Sequence, residues 1–304
     1  MKIVVTGALG HIGSRLIREL PSSFPDSHII LLDNLATKRH ASLFNLPRNA
    51  SFRFVQGDIL TEDLESIFKD ANAVIHLAAM TNAEESVWQQ SVVEQVNTLG
   101  TERVAQACIK TGAPMIFPST TSVYGKSEGV VTENCLREHL QPQSPYAVSK
   151  LKAEDLLLRL SKNSCLRFVV FRLGTIFGPS PGMRFHTAVN KFCWQASMGD
   201  PLTVWRTAWD QKRPYLDLTD AVRAFEFVIK QDHFDGKIFN VLTTNSPLQE
   251  IVEIIQEQIH DLSIRMVESK IMNQLSYTVS SKRFRKLGFR FQGQLKGGIQ
   301  ETLA

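Results

Sequence analysis

Short apolar runs alternate with helical patterns through the first 170 residues. Strands buried on both faces read as continuous apolar stretches, and helices between them show a 3.6-residue period, so this alternation predicts βαβ units feeding a parallel sheet. Strands are expected at KIVVTG (2–7), HIILLD (28–33), FRFVQGD (52–58), AVIHLAA (73–79), MIFPST (115–120) and RFVVFRLG (167–174). TEDLESIFKD predicts a helix with Thr61 at its N-cap and Leu64, Ile67 and Phe68 on its apolar face. After Gly174 the chain turns to FGPSPGMRF, rich in Gly and Pro, and the alternation becomes irregular. Further on come the amphipathic DLTDAVRAFEFVIK, the strand KIFNVL, which can return to the main sheet, and SPLQEIVEIIQEQI, a helix with Ser246 at the N-cap and Pro247 at N1.

TGALGHIG places Gly7, Gly10 and Gly13 directly after the first strand and at the start of the helical SRLIREL. Glycines here permit a tight turn and close backbone approach to a pyrophosphate, which free N–H groups at a helix start then hold. Asp33 ends the second strand, where a carboxylate accepts from both adenosine ribose hydroxyls and repels a 2′-phosphate, favouring NAD over NADP. Lys38 and Arg39 follow in a solvated loop. Asp58, closing the third strand in GDI, reaches an adenine amino group or caps a turn. The fold class expected is α/β, a Rossmann-type doubly wound parallel sheet with a smaller, discontinuous α/β substrate domain. The first would hold 1–173, with 215–241 returning to it; the second, 174–214 and 242–304.

SPYAVSK (144–150) reads as a helix start, with Ser144 at the N-cap and Pro145 at N1, so Tyr146 and Lys150 fall one turn apart on one face. Ala153 and Leu157 continue that face, which places a lysine on an inward stripe. A lysine ammonium beside a tyrosine favours its phenolate, which can then take a proton from a substrate hydroxyl as hydride leaves the same carbon. Upstream, FPSTTSVYG (117–125) ends a strand, and one of Thr120, Thr121 or Ser122 would bond the reacting oxygen.

Composition adds little. The 304 residues, 43% hydrophobic, suffice for a large core, and a formal charge of +4 implies neither nucleic acid nor membrane. Cys108, Cys135, Cys165 and Cys193 are widely spaced and read as reduced core thiols, with no metal site. With an apolar strand from Ile3 and no run of about 18 apolar residues, a cytoplasmic location is expected. The basic run Lys282–Lys286 with Arg290 reads as a solvated helix face, and Trp194, Trp205 and Trp209 mostly as core.

TGALGHIG, LLDNLATKR, GDI, HLAA, STTSVYG, YAVSK, RLGTIFGP, KRPYLDLTDAV, FNV and SKRFRKLGF together resemble the extended short-chain dehydrogenase/reductase family over nearly the whole chain. The resemblance is to its NAD-dependent nucleotide-sugar epimerases and dehydratases in particular. It implies a catalytic triad of Thr120, Tyr146 and Lys150. It implies NAD contacts at Gly7, Gly10, His11, Ile12, Gly13, Asp33, Asn34, Asp58, Ile59, Leu77, Ala78 and Ala79, as well as Tyr146 and Lys150. Arg213 takes the place of the arginine that clamps the sugar-nucleotide diphosphate, a role suited to a bidentate guanidinium. Thr81, Thr121, Thr175, Thr187 and Ala188 fall at further substrate positions. The chain departs from the family at Pro214, usually acidic, at Thr175, usually asparagine, and at Thr187-Ala188-Val189-Asn190, where Asn-Leu-x-Pro is usual.

The residues after Thr120 bear on the reaction that the resemblance implies. The 4,6-dehydratases have an Asp-Glu pair where this chain has Thr121-Ser122. The UDP-glucuronate decarboxylases have a glutamate, and the GDP-sugar 3,5-epimerase/reductases a cysteine, in place of Ser122. What remains is epimerisation at C4 of a UDP-sugar through a 4-keto intermediate. The alternatives are an NAD(P)H-dependent nucleotide-4-keto-sugar reductase and, less favoured, a dehydratase. A protein that binds NAD without catalysis would have no need of the triad. The expected partners are a nucleotide-diphosphate sugar and a second copy of the chain, which meets the helix VVEQVNTLGTERVAQACIK and the YAVSK helix; neither nucleic acid nor membrane is expected.

Overall fold

The computed structural model describes residues 1–125, 129–268 and 276–304. In chain order its strands are β1 (Lys2–Thr6), β2 (His28–Asp33), β3 (Ser51–Gln56), β4 (Ala73–His76), β5 (Met115–Thr120), β6 (Val130–Val131), β7 (Phe168–Leu173) and β8 (Thr175–Phe177). They continue with β9 (Leu202–Trp205), β10 (Lys212–Asp217), β11 (Asp235–Val241), β12 (Thr244–Pro247), β13 (Ile264–Val267) and β14 (Thr278–Val279). The helices are α1 (His11–Ser23), α2 (Leu64–Phe68), α3 (Gln90–Glu94), α4 (Gly100–Thr111), α5 (Pro145–Lys162), α6 (Ala188–Ser197), α7 (Leu218–Gln231), α8 (Leu248–Gln258), α9 (Lys282–Lys286) and α10 (Leu295–Leu303). A π-helical turn, Gln95–Leu99, joins α3 to α4.

Among the described residues, seven strands form one parallel sheet in the order β11-β7-β5-β4-β1-β2-β3. The pleat sends alternate residues to opposite faces. Ile3, Val5, Ile29 and Leu31 therefore meet Leu16, Ile17 and Leu20 of α1 and Phe225 and Val228 of α7. Val4, Ile30 and Leu32 meet Val104 and Cys108 of α4 and Ala153 and Leu157 of α5. This is the Rossmann-type doubly wound α/β arrangement. Strand order reverses between β1 and β4, and the crevice beyond the carboxyl ends of these strands is where such sheets bind ligands. KIFNVL supplies residues 237–241 of β11, which pairs with β7, and its Leu242 follows the strand.

A second core gathers Val189 and Phe192 of α6, Ile251 and Ile255 of α8, Ile299 of α10, and Leu202 and Tyr215. It lies with a three-stranded sheet, β12-β10-β8, and the pair β13-β9.

Several boundaries differ from expectation. β3 ends at Gln56 and β4 at His76, so Asp58 and the Leu77–Ala79 segment lie beyond their strands, in the turns. The cap of α2 is Asp63, not Thr61: the Asp63 carboxylate accepts from the Ser66 amide at 3.2 Å, whereas the Thr61 hydroxyl bonds back to the Asp58 carbonyl. Ser246 does not cap α8. It belongs to β12, where it pairs with Arg213, and Pro247 is the N-cap residue. Of the four cysteines only Cys108 and Cys193 are buried; Cys135 is half-buried and Cys165 exposed. In the basic run Phe284 is fully buried among other phenylalanines, so the cations flank a core anchor.

Candidate functional site

The glycine turn leaves β1 and enters α1. Gly7 has φ +65°, and a Cβ there would sit 2.6 Å from the Ala78 nitrogen; at Gly13 it would sit 2.6 Å from the Ala8 carbonyl oxygen. Both positions thus exclude side chains, and the amides of the first turn of α1 are presented to a ligand. Asp33 is held at the end of β2 by the amides of Leu9 (3.0 Å) and Leu35 (2.9 Å). These bonds leave further lone pairs on its oxygens. Asn34 donates to Asp58 at 2.9 Å, and Asp58 also accepts from the Leu60 amide at 2.9 Å, so one acid serves both the turn and the neighbouring strand end. The Ile59 side chain is in the core beside α4, and its carbonyl accepts from Arg103. His11 faces away from the helix start, with Nε2 2.8 Å from the Gly178 carbonyl. Burial, with Arg184 and Arg39 nearby, holds its pKa down at about 3, so the ring is neutral. A bare backbone cradle at a helix start, with a fixed carboxylate at the next strand end, fits an NAD molecule.

Past this turn opens a cavity of about 740 Å³, lined by Ile12, Leu77, Ala79, Thr81, Thr120, Tyr146, Lys150, Thr175, Thr187, Ala188 and Arg213 among others. The remaining predicted residues, Gly7, Gly10, His11, Gly13, Asp33, Asn34, Asp58, Ile59 and Ala78, sit in the adjoining turn and strand ends, and Thr121 lies elsewhere. Thr121 is buried with its hydroxyl on the Leu173 carbonyl (3.2 Å), and Ser122 takes its place in the wall.

The Ser144 hydroxyl accepts from the Ala147 amide at 3.2 Å, fixing the start of α5 as the Ser-Pro pair predicts. That sets Tyr146 and Lys150 on the cavity side, one turn apart. Thr120, at the end of β5, hydrogen bonds the Tyr146 phenol and also accepts from the Ser122 amide at 3.1 Å. Burial raises the Tyr146 pKa; the Arg184 charge and the Thr120 bond oppose it. Lys150 is 3% exposed, with Nζ 4.7 Å from the Phe117 ring centroid. Burial draws its pKa down to about 7, against an opposing pull from Glu154. Arg184 is therefore a cation acting on the Tyr146 phenol that the sequence did not point to.

Glu154, one turn beyond Lys150, is 1% exposed and accepts from Arg172 at 2.7 Å and from the Ser119 hydroxyl. The buried pair ties α5 to β5 and β7 directly beneath the triad. Asn97 of the π-helical turn accepts from the Met80 amide at 2.8 Å and donates to the Met80 carbonyl and to Ser149, both at 2.9 Å. It thereby clamps the segment ahead of Thr81 onto α5.

The opposite wall comes from later in the chain. Arg213 lies on β10 and donates to Gln211 at 3.3 Å. The loop after β8 packs on the glycine turn, with Ser180 donating to the His11 carbonyl and the Gly182 amide to Ser14, both at 2.9 Å. It carries Arg184 into the cavity, where Nη1 donates to Thr81 at 2.9 Å. Sequence reading missed Arg184, Asn97 and Glu154, of which only Glu154 had a local signal, the extension of the inward face of α5; Ser122 was one of the three candidate hydroxyls and lines the cavity. Trp194 is 45% exposed and lines the cavity, whereas Trp205, which also lines it, and Trp209 pack partly buried on the second core, as expected for most of the three.

A dinucleotide cradle opening on a cavity that holds a hydroxyl, a tyrosine and a lysine defines an enzyme of the extended short-chain dehydrogenase/reductase type. Residues 3–241 match the model of the NAD dependent epimerase/dehydratase family, and the chain belongs to that family. It is 29% identical to an uncharacterized UDP-glucose epimerase, YtcB, of Bacillus subtilis, over 100% of this chain and 97% of the relative. It is 28% identical to a trifunctional UDP-glucose 4,6-dehydratase, 3,5-epimerase and 4-keto-L-rhamnose reductase of Arabidopsis thaliana, spanning 99% of this chain but 46% of that relative. Among solved structures it is similar to the UDP-glucuronic acid 4-epimerase of Bacillus cereus with UDP-glucuronic acid and NAD, with 27% identity, a TM-score of 0.88, and coverage of 100% and 98%. No described helix is long and apolar enough to cross a membrane.

Proposed function

We propose that this chain is an NAD-dependent nucleotide-sugar epimerase that inverts C4 of a UDP-sugar. The observation that carries this reading is the convergence of Thr120, Tyr146 and Lys150 on one cavity beside the glycine cradle, with neither an acid nor a cysteine at residues 121 and 122. Tyr146, as phenolate, takes the proton of the 4-hydroxyl and later returns it to the 4-keto oxygen. Thr120 holds that oxygen and Arg184 stabilises the phenolate. Lys150 bonds the cofactor's ribose and adds charge at Tyr146 when protonated. The chemistry that NAD would supply when held in the glycine cradle is reversible hydride acceptance from C4, which links the 4-hydroxyl sugar to its 4-keto form. Arg213 grips the diphosphate while the sugar turns, and Thr81, Thr175, Thr187 and Ala188 shape the space around it; residues 174–214 and 242–304 form this substrate-binding part. The B. subtilis and B. cereus relatives support the reading, and the Arabidopsis relative is the reason to test reduction and dehydration beside it.

The test is to incubate the purified protein with UDP-glucose, UDP-galactose and UDP-glucuronate with no added cofactor and follow the sugars by NMR. Interconversion of C4 epimers without net NADH change supports epimerisation. Turnover only of a UDP-4-keto-sugar with added NADH or NADPH marks a reductase, and loss of water from UDP-glucose marks a dehydratase. A dimer is proposed through α3, α4 and α5, where Trp88 just ahead of α3 (78% exposed), Val92 on it and Leu99 in the π-helical turn leave apolar surface uncovered; a monomeric mass by sedimentation at micromolar concentration refutes it.

A further inference from the structure

Buried polar atoms in folded proteins are almost always hydrogen-bonded, so a cluster of exceptions marks a place built for something else. Six such atoms occur among the described residues, and three of them, His11 Nδ1, Arg184 Nε and Thr187 Oγ1, belong to the glycine turn and the loop that packs on it. Thr187 is the N-cap residue of α6, yet its hydroxyl makes no bond to that helix. The Arg184 guanidinium donates to a neutral hydroxyl and is paired with no carboxylate among the described residues. His11 and His186, with pKa values drawn down to about 3 and about 4 by burial first and by Arg184, are neutral, so the charge at this corner is that of Arg184 and nearby Arg39.

Among the described residues the cavity wall holds four cationic side chains, Lys150, Arg184, Lys191 and Arg213, against one carboxylate, Glu84, whose charge acts on Lys191. The substrate's diphosphate is assigned to Arg213, which leaves Arg184, at the reacting end, with no carboxylate partner among the described residues. On a pyranose the C6 group hangs from C5, the immediate neighbour of C4, whereas the diphosphate leaves from C1 across the ring. A cation that acts on the phenol receiving the 4-hydroxyl is therefore placed to reach C6.

We infer that Arg184, with Thr187, receives a carboxylate at C6, so that the sugar handled here is a uronic acid. The inference rests on the nucleotide-sugar reading above and names the substrate class of that site. The guanidinium then gains the bidentate acceptor it lacks, and Thr187 gains a partner. A neutral hydroxymethyl group in its place leaves Arg184 without a counter-charge and the orphaned atoms poorly matched.

Calorimetric titration of the NAD-loaded protein with UDP-glucuronate and with UDP-glucose, which differ only at C6, tests this. The expected result is about ten- to a hundredfold tighter binding of UDP-glucuronate, the range of a charge-assisted hydrogen bond. Arg184→Gln should erase the preference and Arg184→Lys restore part of it. Equal affinity for the two sugars in the unmodified protein overturns the inference, and that comparison depends on no variant folding. Equal weakening of both sugars by Arg184→Gln also overturns it, because Arg184 would then hold a group that both share. If neither sugar binds while NAD stays bound, the UDP-sugar reading itself falls and this inference falls with it. UDP-glucose bound and turned over as well as UDP-glucuronate leaves the epimerase standing and removes the uronate assignment alone.

Discussion

Replacing Lys150 with methionine should make the cofactor-free protein more stable, by an amount that shrinks as pH rises. The ammonium is buried above the Phe117 ring, and the carboxylate that supports it, Glu154, is already engaged by Arg172. Burial takes its pKa from 10.5 down to about 7. At about 1.4 kcal/mol per unit, the protonated lysine costs the folded state roughly 5 kcal/mol wherever both states carry the proton, that is, below pH 7. Between pH 7 and 10.5 the unfolded chain keeps a proton that the folded chain has released, so the protein as it stands gains stability with rising pH across that window. Nearly the whole penalty operates at pH 6, and about 2 kcal/mol of it remains at pH 9. Methionine fills similar space without a charge and has no such slope. The advantage of the variant should therefore fall by about 3 kcal/mol from pH 6 to pH 9, whatever constant the change in packing adds. Urea unfolding of NAD-stripped protein and variant at pH 6, 7.5 and 9, followed by circular dichroism, measures it. A difference that is flat with pH, or that grows toward pH 9, would refute the reasoning.

Three further outcomes are expected. Tyr146→Phe should lower kcat by at least about a hundredfold, as expected on removing a general acid-base group, while NAD released on denaturation stays at the level of the parent protein; substantial residual turnover counts against Tyr146 as the proton carrier. Arg172→Leu should cost about 3–5 kcal/mol in urea unfolding, because it strands the Glu154 carboxylate in the core, whereas Arg172→Leu with Glu154→Leu should cost much less; equal losses would show that the pair is not the source. Gly7→Ala should lower the melting temperature and the NAD content together, since its backbone sits at φ +65° and the new methyl would overlap the Ala78 nitrogen; an unchanged NAD content means that the turn relaxes around it.

Local chemistry made the main sheet and half of the site legible. The glycine turn, Asp33 at the end of β2 and the Ser144-Pro145 start of α5 each depend on residues within a few positions of one another. Where distant pairing decides, the pattern misleads. Ser246 looks like a cap, but pairing with Arg213 draws it into β12 and moves the helix start to Pro247. Thr61 and Asp63 both suit the cap of α2, and the choice falls to the acid that reaches the Ser66 amide. Thr121 was expected at the substrate because it follows Thr120. The chain leaves the pleat there for a 3₁₀ turn, Thr121–Tyr124, which aims Thr121 at Leu173 and brings Ser122 to the cavity. Arg184 lies in a Gly/Pro-rich loop with no periodicity, and its meaning comes from Thr81, 103 positions away.

Lys150 is buried with its pKa depressed, Arg184 has no carboxylate partner among the described residues, and the histidines around it are held neutral. Each is a cost that a packed apolar core would not carry, and each eases when an anion arrives, because a nearby negative charge stabilises the protonated lysine and the arginine alike. Stability that the chain forgoes when empty should thus reappear as binding free energy, concentrated near Tyr146. An anionic ligand should raise the melting temperature more than a neutral one of equal size, and by more at pH 6 than at pH 9, since Lys150 regains its proton at the lower pH. The pH dependence separates this from ordinary ligand stabilisation: a packing contact has no reason to change between pH 6 and pH 9, and the charge on Lys150 does.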